Sequence, residues 1–387
     1  MTTTGTSIDG HVEPGFEGVR DAFAANFERH DEAGAAFSLY VEGQKVVDIW
    51  GGVADASTAR PWGEDTIVLV FSTTKGATAV CANLLAQRGE LDVDIPVVSY
   101  WPEFGAAGKG TVPVRWLLAH QVGLPYVEGD VSYDDVLGWD PMVRALERSA
   151  PVWEPGTAHG YHAVTYGWLV GEIVRRISGR SVGRFFADEV AGPLGLDFWI
   201  GLPEDQEHRV APLIPITPPT DPEMARVMEQ FMGPGSVLGR ALTLGGALAG
   251  RDVFNRRDLR AAEVPAANGV TDARSLARMY ASLVGEVDGV RILSHEQVEA
   301  ARERQTEGND RVLMFESALG LGFMVHSPFT PFGGPGCFGH PGAGGSVGFA
   351  DPENQLAFGY VMNRMQQNLS GDPRTVGLVQ AAYAAIA

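Results

Sequence analysis

Residues 68–85 read VLVFSTTKGATAVCANLL, an apolar run followed by Ser72, Lys75 and a second apolar run. If the second run is a helix, Ser72 and Lys75 share a face, because residues three apart on a helix are neighbours. A serine hydroxyl becomes a nucleophile when an adjacent base takes its proton, and a lysine can be that base. The alternative is that Ser72 only caps the helix and Lys75 is solvated, since serine is a favoured N-cap.

The placement of lysines favours the first interpretation. The chain has only Lys45, Lys75 and Lys109, and Lys75 stands between two apolar runs. Burial disfavours an ammonium ion and lowers its pKa, so a buried lysine can accept a proton. Arginine stays charged and cannot do this. The sequence therefore predicts a buried, basic Lys75.

The N-terminal part begins with a helix and a hairpin. Apolar residues recur at helical spacing within residues 15–32, and two β-rich runs, about 35–41 and 45–50, flank a short Gly-containing turn. From residue 72 to about 280 the spacing is mainly helical. The Pro-rich and Gly-rich stretch 201–250 interrupts it and predicts extended surface loops.

The C-terminal part returns to strands. Short apolar runs at 318–326, 346–352 and 355–364 are bounded by Gly, Pro or Asp, and a helix over 374–387 closes the chain. Strands at both ends with helices between them predict an α+β fold, or α/β in loose usage, in which both termini build one antiparallel sheet flanked by helices. Strands and helices are segregated, which argues against a doubly wound sheet.

The same pattern predicts how the chain is divided. Residues 1–387 form a single unit, in which approximately 1–71 and 275–387 make the sheet-containing subdomain. The inserted part, approximately 72–274, is mainly helical with long loops.

Composition narrows the function classes. Hydrophobic residues make up 45% of the 387, enough for a large core, and the net charge of -19 disfavours binding to nucleic acid or anionic membranes. Residues 1–18 have neither a basic start nor an apolar core, and no apolar run is long enough to span a membrane. These features predict a soluble cytoplasmic protein with a small-molecule substrate. Its oligomeric state stays open, a homo-oligomer included.

Metal and cofactor sites are not predicted. Cys81 and Cys337 lack CxxC spacing, and no HExxH is present. His159 and His162 at i, i+3 are the nearest approach to a metal pair, and a pair alone is weak. We expect neither a metal nor a cofactor.

Two further stretches could contribute to catalysis. In HGYHAVTYGWLVGEIV, residues 159–174, Tyr161 is predicted at the start of an amphipathic helix, where a nearby ammonium would ease loss of its proton. Its alternative is simple packing with the hydroxyl at the surface. In CFGHPGAGGSVGFADP, residues 337–352, small residues would let backbone N–H groups approach a substrate, or would form only a turn.

These three stretches, in this order, resemble the serine β-lactamase and penicillin-binding protein superfamily, which carries a Ser-x-x-Lys motif. The closest resemblance is to the class C β-lactamase-like esterases, the family VIII carboxylesterases, and it covers nearly the whole chain. Supporting stretches are GELDVDIPVVSYWPEF at 89–104, EPGTAHGYHAVTYGWLVGEIV at 154–174 and VRWLLAHQVGLP at 114–125, where the family typically ends in His-Thr-Ser-Gly-Leu-Pro. The resemblance implies a β-lactamase-like fold and an acyl-enzyme.

The resemblance also implies residue roles. Ser72 would be the nucleophile and Lys75 its general base or proton relay. Tyr161 matches the tyrosine of the family's Tyr-x-Asn motif and would deliver the proton to the departing alcohol.

The Gly-rich stretch would supply the oxyanion hole. His340-Pro341-Gly342 stands where the family has Lys-Thr-Gly, so His340 and Gly342 would face the substrate. The backbone N–H groups of Ser72 and Ala343 would bind the oxyanion, and losing one such donor typically costs about 3 kcal/mol in the barrier.

Two departures from the family pattern bear on substrate. Ala163 replaces the usual Asn, and His340 replaces a Lys that would attract a β-lactam carboxylate. Both favour a serine carboxylesterase acting on short-chain esters. The alternatives are β-lactam hydrolysis, D-amino acid peptide or amide cleavage and acyl transfer on the same scaffold. A non-catalytic binding protein is a further alternative, although it should have lost these residues.

Overall fold

A ten-stranded antiparallel sheet built from both ends of the chain organises the fold. The structure, a computed structural model, describes residues 6–217 and 219–387. The strands of this sheet are β1 Ile8–Val12, β2 Gly34–Val41, β3 Gln44–Asp55, β4 Arg60–Pro61, β8 Thr306–Asn309, β9 Glu316–Leu319, β10 Met324–Val325, β11 Phe338–Pro341, β12 Val347–Asp351 and β13 Leu356–Met362. A second, three-stranded sheet contains β5 Val68–Leu69, β6 Phe198–Trp199 and β7 Val270–Thr271.

The two termini meet in the middle of the large sheet. Its order is β1-β3-β2-β13-β12-β11-β10-β9-β8, with β4 paired to β3. Strands β2 and β13 run antiparallel, with Ala35 opposite Met362 and Val41 opposite Leu356. The predicted hairpin, the sheet from both termini and the α+β class are therefore confirmed.

Helices pack on the large sheet and make up most of the chain between β5 and β8. The α-helices are α1 Glu17–Arg29, α2 Thr74–Gln87, α3 Val114–Leu118, α4 Tyr133–Leu137, α5 Trp139–Arg148, α6 Tyr166–Ser178, α7 Val182–Phe186, α8 Gly192–Leu194, α9 Pro222–Met232, α10 Val237–Thr243, α11 Arg257–Ala261, α12 Ala273–Val284, α13 His295–Arg302 and α14 Pro373–Ile386. Helix α12 packs closely on the sheet, because Gly348 and Gly359 leave no room for a Cβ beneath it. The proposed division into two subdomains stays a prediction.

Three local predictions were wrong. The stretch 201–250 is not only loop, since α9 begins at an Asp221 cap followed by proline and α10 begins at a Ser236 cap, both good helix starts. The run 318–326 is two strands, and Gly322 between them has φ +89° where a Cβ would strike α2 and α6. The short strands β1, β8 and β11 gave no clear apolar alternation and were missed.

Helix α2 is the buried centre of the molecule. Every residue from Thr74 to Leu85 is buried, so the helix is enclosed on all sides rather than half-exposed. A single 3₁₀ turn, residues 71–73, leads into it from β5. This arrangement carries Ser72 and Lys75 into the middle of the fold.

Candidate active site

Ser72 and Lys75 are in hydrogen-bond contact at the start of α2. The Lys75 Nζ lies 3.2 Å from the Ser72 Oγ, as expected for residues three apart on one helical face. Lys75 is fully buried, whereas Ser72 is partly exposed and therefore accessible to a substrate. The Lys75 N–H groups also donate to the carbonyls of Ala163 at 2.6 Å and Ala266 at 3.0 Å.

The environment of Lys75 favours its neutral amine. Burial lowers the pKa of Lys75 well below its usual value. Its Nζ faces the rings of Tyr161 and Tyr166, with 4.7 and 5.8 Å between the nitrogen and the ring centroids. The predicted burial of Lys75 is confirmed and the solvated-lysine alternative is wrong, while its role as a base stays a prediction.

The backbone before Ser72 is held in an unusual conformation. Phe71 has φ +46°, in the left-handed region that non-glycine residues rarely adopt. The Thr74 hydroxyl donates to the Phe71 carbonyl at 2.5 Å and fixes this turn. Strain of this kind is common where a structure must present one side chain, and here it presents Ser72 at the positive end of a buried helix.

The Gly-rich turn after β11 is fastened to the Ser72 turn. The Ser346 hydroxyl donates to the Val70 carbonyl at 2.9 Å and lies 3.0 Å from the Thr73 hydroxyl. Gly342 packs so closely that a Cβ there would overlap Val70, Thr73 and Ser346. The structure therefore brings together two stretches that the sequence separates by about 270 residues.

Next to Ala343 the turn is held at Gly344, while the Ala343 N–H stays available. The Gly344 carbonyl accepts from the Arg374 guanidinium at 2.5 Å, and the Gly344 N–H donates to Asn368. Within residues 6–217 and 219–387, neither the Ser72 N–H nor the Ala343 N–H donates to another residue. Two unoccupied N–H groups beside a nucleophile are what an oxyanion hole requires.

Tyr161 reaches the site from a loop and not from a helix. It precedes α6, which begins at Tyr166, so its predicted position at a helix start was wrong. Its hydrogen bond with Ser72 favours the phenolate, but burial outweighs this and raises the pKa of the Tyr161 phenol. The expectation of an easily lost proton was therefore wrong, and Tyr161 is protonated at neutral pH.

His340 is a neutral imidazole in this site. Its Nδ1 donates to the Pro341 carbonyl at 2.7 Å, and burial lowers the pKa of His340 to about 3. Its ring centroid lies 6.0 Å from that of Tyr161. Among the described residues the His340 Nε2 has no partner. His340 thus supplies no positive charge, unlike the lysine that it replaces.

An apolar cavity adjoins both turns. It has a volume of about 260 Å³ and is lined by Phe71, Leu213, Pro215, Ile216, Leu248, Gly250, Arg251, Phe254, Asn255 and Met365. Phe71 precedes the nucleophile, and Met365 packs against Gly344 of the Gly-rich turn. The cavity therefore borders the residue that precedes Ser72 and a side chain that packs on the Gly-rich turn.

The histidines considered as a metal pair have other partners. The His159 Nε2 lies 3.1 Å from the Ser317 hydroxyl, and the His162 Nε2 accepts from the Leu124 N–H at 2.8 Å. No group of three or more His, Cys, Asp or Glu side chains in the described chain could hold a metal ion. In the same residues, no helix combines the length and hydrophobicity needed to cross a membrane.

The sequence interpretation missed the residues that hold the site in place. His120, Asp310 and Arg374 are buried and contact the Tyr161 loop or the Gly-rich turn. A charged residue among apolar neighbours in the sequence weakly indicates a buried structural role, and Arg374 in the final helix has such neighbours. The sequence around Asp310 gives no such indication, and its partner Tyr161 lies 149 residues away.

Comparison with known proteins places the chain in a family. The family model described as Beta-lactamase matches residues 19–382. The esterase/beta-lactamase LipL of Mycobacterium tuberculosis is 39% identical over 369 residues, which cover 93% of this chain and 84% of LipL.

Solved structures agree with this. A family VIII carboxylesterase has a TM-score of 0.89 and 40% identity, with 98% of this chain and 100% of that chain covered. EstA from Arthrobacter nitroguajacolicus Rue61a has a TM-score of 0.87 and 34% identity, with 97% and 98% covered. The chain belongs to the Beta-lactamase family and is a serine hydrolase.

Proposed function

We propose that this protein is a carboxylesterase that hydrolyses short-chain esters through an acyl-enzyme on Ser72. The observation that carries the proposal is the contact between the accessible Ser72 hydroxyl and the amine of Lys75, whose pKa burial lowers. The family VIII carboxylesterase and EstA, both similar over nearly the whole chain, support the choice of esters.

The hydrogen bonds of Lys75 fit a general base. A neutral amine has two N–H groups and one lone pair. The carbonyls of Ala163 and Ala266 would take the two N–H groups, which leaves the lone pair to accept the proton of the Ser72 hydroxyl. An ammonium ion would have no lone pair for this purpose.

The acylation step follows from this arrangement. The Ser72 oxygen attacks the ester carbonyl carbon while its proton passes to the Lys75 Nζ. The carbonyl oxygen becomes an oxyanion, which the N–H groups of Ser72 and Ala343 stabilise. The carbon–oxygen bond to the alcohol then breaks and leaves an acyl-Ser72 ester.

Tyr161 would complete the proton transfer. Its phenol is protonated at neutral pH and contacts both Ser72 and Lys75, so it can give a proton to the departing alkoxide and regain one from the Lys75 ammonium. Water then attacks the acyl carbon by the same route in reverse, and releases the acid and Ser72.

The surroundings favour esters over β-lactams. His340 is neutral and Ala163 offers a methyl group, so neither attracts a carboxylate or an amide side chain. The lining of the cavity is mainly apolar and suits the hydrocarbon part of a small ester.

Replacing the nucleophile tests the proposal. Ser72→Ala should abolish turnover of p-nitrophenyl acetate and butyrate and labelling by a fluorophosphonate probe. Ser178→Ala, at the end of α6, is the matched control and should keep both. Wild-type turnover in Ser72→Ala would refute the assignment.

β-Lactam hydrolysis is the second candidate activity. The relative LipL is described as an esterase and a β-lactamase, and the acyl-enzyme chemistry is shared. Nitrocefin turnover close to that of p-nitrophenyl butyrate would favour this candidate. We expect nitrocefin to be much the poorer substrate, because no cation at position 340 binds its carboxylate.

A further inference from the structure

The loop that carries Tyr161 is held by three consecutive backbone hydrogen bonds. The Gly160 N–H donates to the His120 carbonyl at 3.1 Å, and the Tyr161 N–H donates to the Asp310 carboxylate at 3.0 Å. The His162 N–H donates to the His120 Nδ1 at 2.9 Å. His120 therefore accepts hydrogen bonds from the loop on both sides of Tyr161. Tyr161 lies outside α6, so these bonds hold the loop in place of helical ones.

The imidazole of His120 has one tautomer in this position. Because its Nδ1 accepts from His162, its proton must be on Nε2. Burial lowers the pKa of His120 well below its usual value, so the ring stays neutral and keeps this acceptor. The ring is fully enclosed, and among the described residues its Nε2 has no partner.

The same ring forms a wall against the phenol. Its centroid lies 5.2 Å from that of Tyr161 and 5.0 Å from that of Tyr166, with which it is stacked at 25°. The Lys75 Nζ lies on the Tyr161 ring at 4.7 Å. The Tyr161 ring therefore has contacts from both His120 and Lys75, which fix its position next to Ser72.

We propose that His120 is the positioning residue for Tyr161, which it holds by its carbonyl, its Nδ1 and its ring in the place from which the phenol protonates the leaving alcohol. This inference rests on the proposed function. His120 touches none of the reacting atoms and acts only through Tyr161. A displacement of about 1 Å in such a group can lower a rate about 100-fold.

The leaving group of the substrate provides a specific readout. A p-nitrophenolate ion departs without a proton, whereas an ethoxide ion requires one. A misplaced Tyr161 should therefore slow ethyl butyrate hydrolysis more than p-nitrophenyl butyrate hydrolysis. A general loss of folded enzyme would slow both esters equally, so the ratio of the two kcat/KM values separates positioning from stability.

Two substitutions at position 120 separate the role of the Nδ1 acceptor from that of the other His120 contacts. His120→Leu puts an apolar side chain of similar size in place of the imidazole and removes the Nδ1 acceptor. His120→Asn keeps an oxygen in place of Nδ1, and asparagine tolerates the left-handed φ of +57° at this position. We expect the ethyl to p-nitrophenyl ratio to fall by about tenfold or more in His120→Leu, and to be partly restored in His120→Asn.

A double-substitution cycle completes the experiment. Tyr161→Phe alone should lower the ratio at least as far as His120→Leu, and the double variant should lower it no further, because His120 acts through Tyr161. His326→Leu, a half-buried histidine at the end of β10, should leave the ratio unchanged.

The outcomes separate this inference from the proposed function. If Tyr161→Phe lowers the ratio while both His120 variants leave it at the wild-type value, the positioning role is wrong and the esterase assignment stands. An unchanged ratio in Tyr161→Phe overturns the proton-donor role and the positioning role together. Retained activity in Ser72→Ala overturns the proposed function itself.

Discussion

The catalytic centre and the wall of the adjoining cavity are built differently. In the centre, Lys75 bonds to carbonyls from two other segments, and Ser346 joins turns about 270 residues apart. The cavity wall comes largely from one stretch, 213–255, whose lining side chains are mainly apolar and contact the centre through Phe71 and Met365. The centre therefore fixes the chemistry, while the wall can change the substrate without disturbing it.

The largest effect should follow from removing the base of the centre. Lys75→Arg keeps a long side chain with N–H donors, but the guanidinium stays charged and cannot accept a proton, so we expect kcat/KM for p-nitrophenyl butyrate to fall by about 10²–10⁴. Lys109→Arg is the matched control, since Lys109 is also fully buried and donates to the carbonyls of Glu147 and Ser149. Steady-state kinetics on folded protein, checked by circular dichroism, measures both.

Two results would contradict this prediction. Lys75→Arg could keep more than about a tenth of wild-type kcat/KM, or Lys109→Arg could lose as much kcat/KM as Lys75→Arg. In either case proton acceptance by Lys75 would not explain the activity. The general effect of placing a larger cation in the core would explain it better.

The neutral histidines of the centre should make the fold sensitive to acid. Burial lowers the pKa of both His162 and His340 to about 3 from an ordinary value near 6.5. Between these pH values the unfolded chain binds protons that the folded chain does not, so the free energy of unfolding falls as pH falls. The expected slope is about 1.4 kcal/mol per pH unit for each histidine.

Removing one histidine isolates its share of that slope. Urea unfolding of wild type and His340→Gln at pH 7 and pH 5 should show a smaller loss of stability in the variant, by about 2 kcal/mol in total, since the unfolded histidine becomes protonated only below its ordinary pKa near 6.5. Equal losses in the two proteins would show that His340 is protonated in the folded chain, and would contradict the neutral site described above.

The sequence predicts the features that depend on residues close together in the chain. Local periodicity identified the β2–β3 hairpin, α2 and α6, because each is set by neighbours along the chain. Spacing alone placed Ser72 beside Lys75. These features need no knowledge of distant contacts.

Features that depend on distant contacts could not be predicted. Asp310 and Tyr161 are 149 residues apart, and nothing near Asp310 in the sequence indicates its partner. Burial raises the pKa of Tyr161, and the apolar spacing around Tyr161 in the sequence did not indicate how deeply it is buried. The prolines and glycines around α9 led to the prediction of a loop there, although Asp221 is a residue type that often caps a helix.

The smallest effect should come from the cavity wall, and it should alter preference rather than rate. Phe254 packs on Phe71 with 4.7 Å between ring centroids, so Phe254→Ala should enlarge the cavity beside the nucleophile. Each additional buried methylene contributes about 0.8 kcal/mol. The kcat/KM of p-nitrophenyl hexanoate relative to acetate should therefore rise several-fold, while Phe27→Ala, which removes a half-buried ring on α1, leaves the ratio unchanged. A constant ratio in Phe254→Ala would mean that the acyl chain lies elsewhere, and that the centre alone determines both the chemistry and the acyl preference.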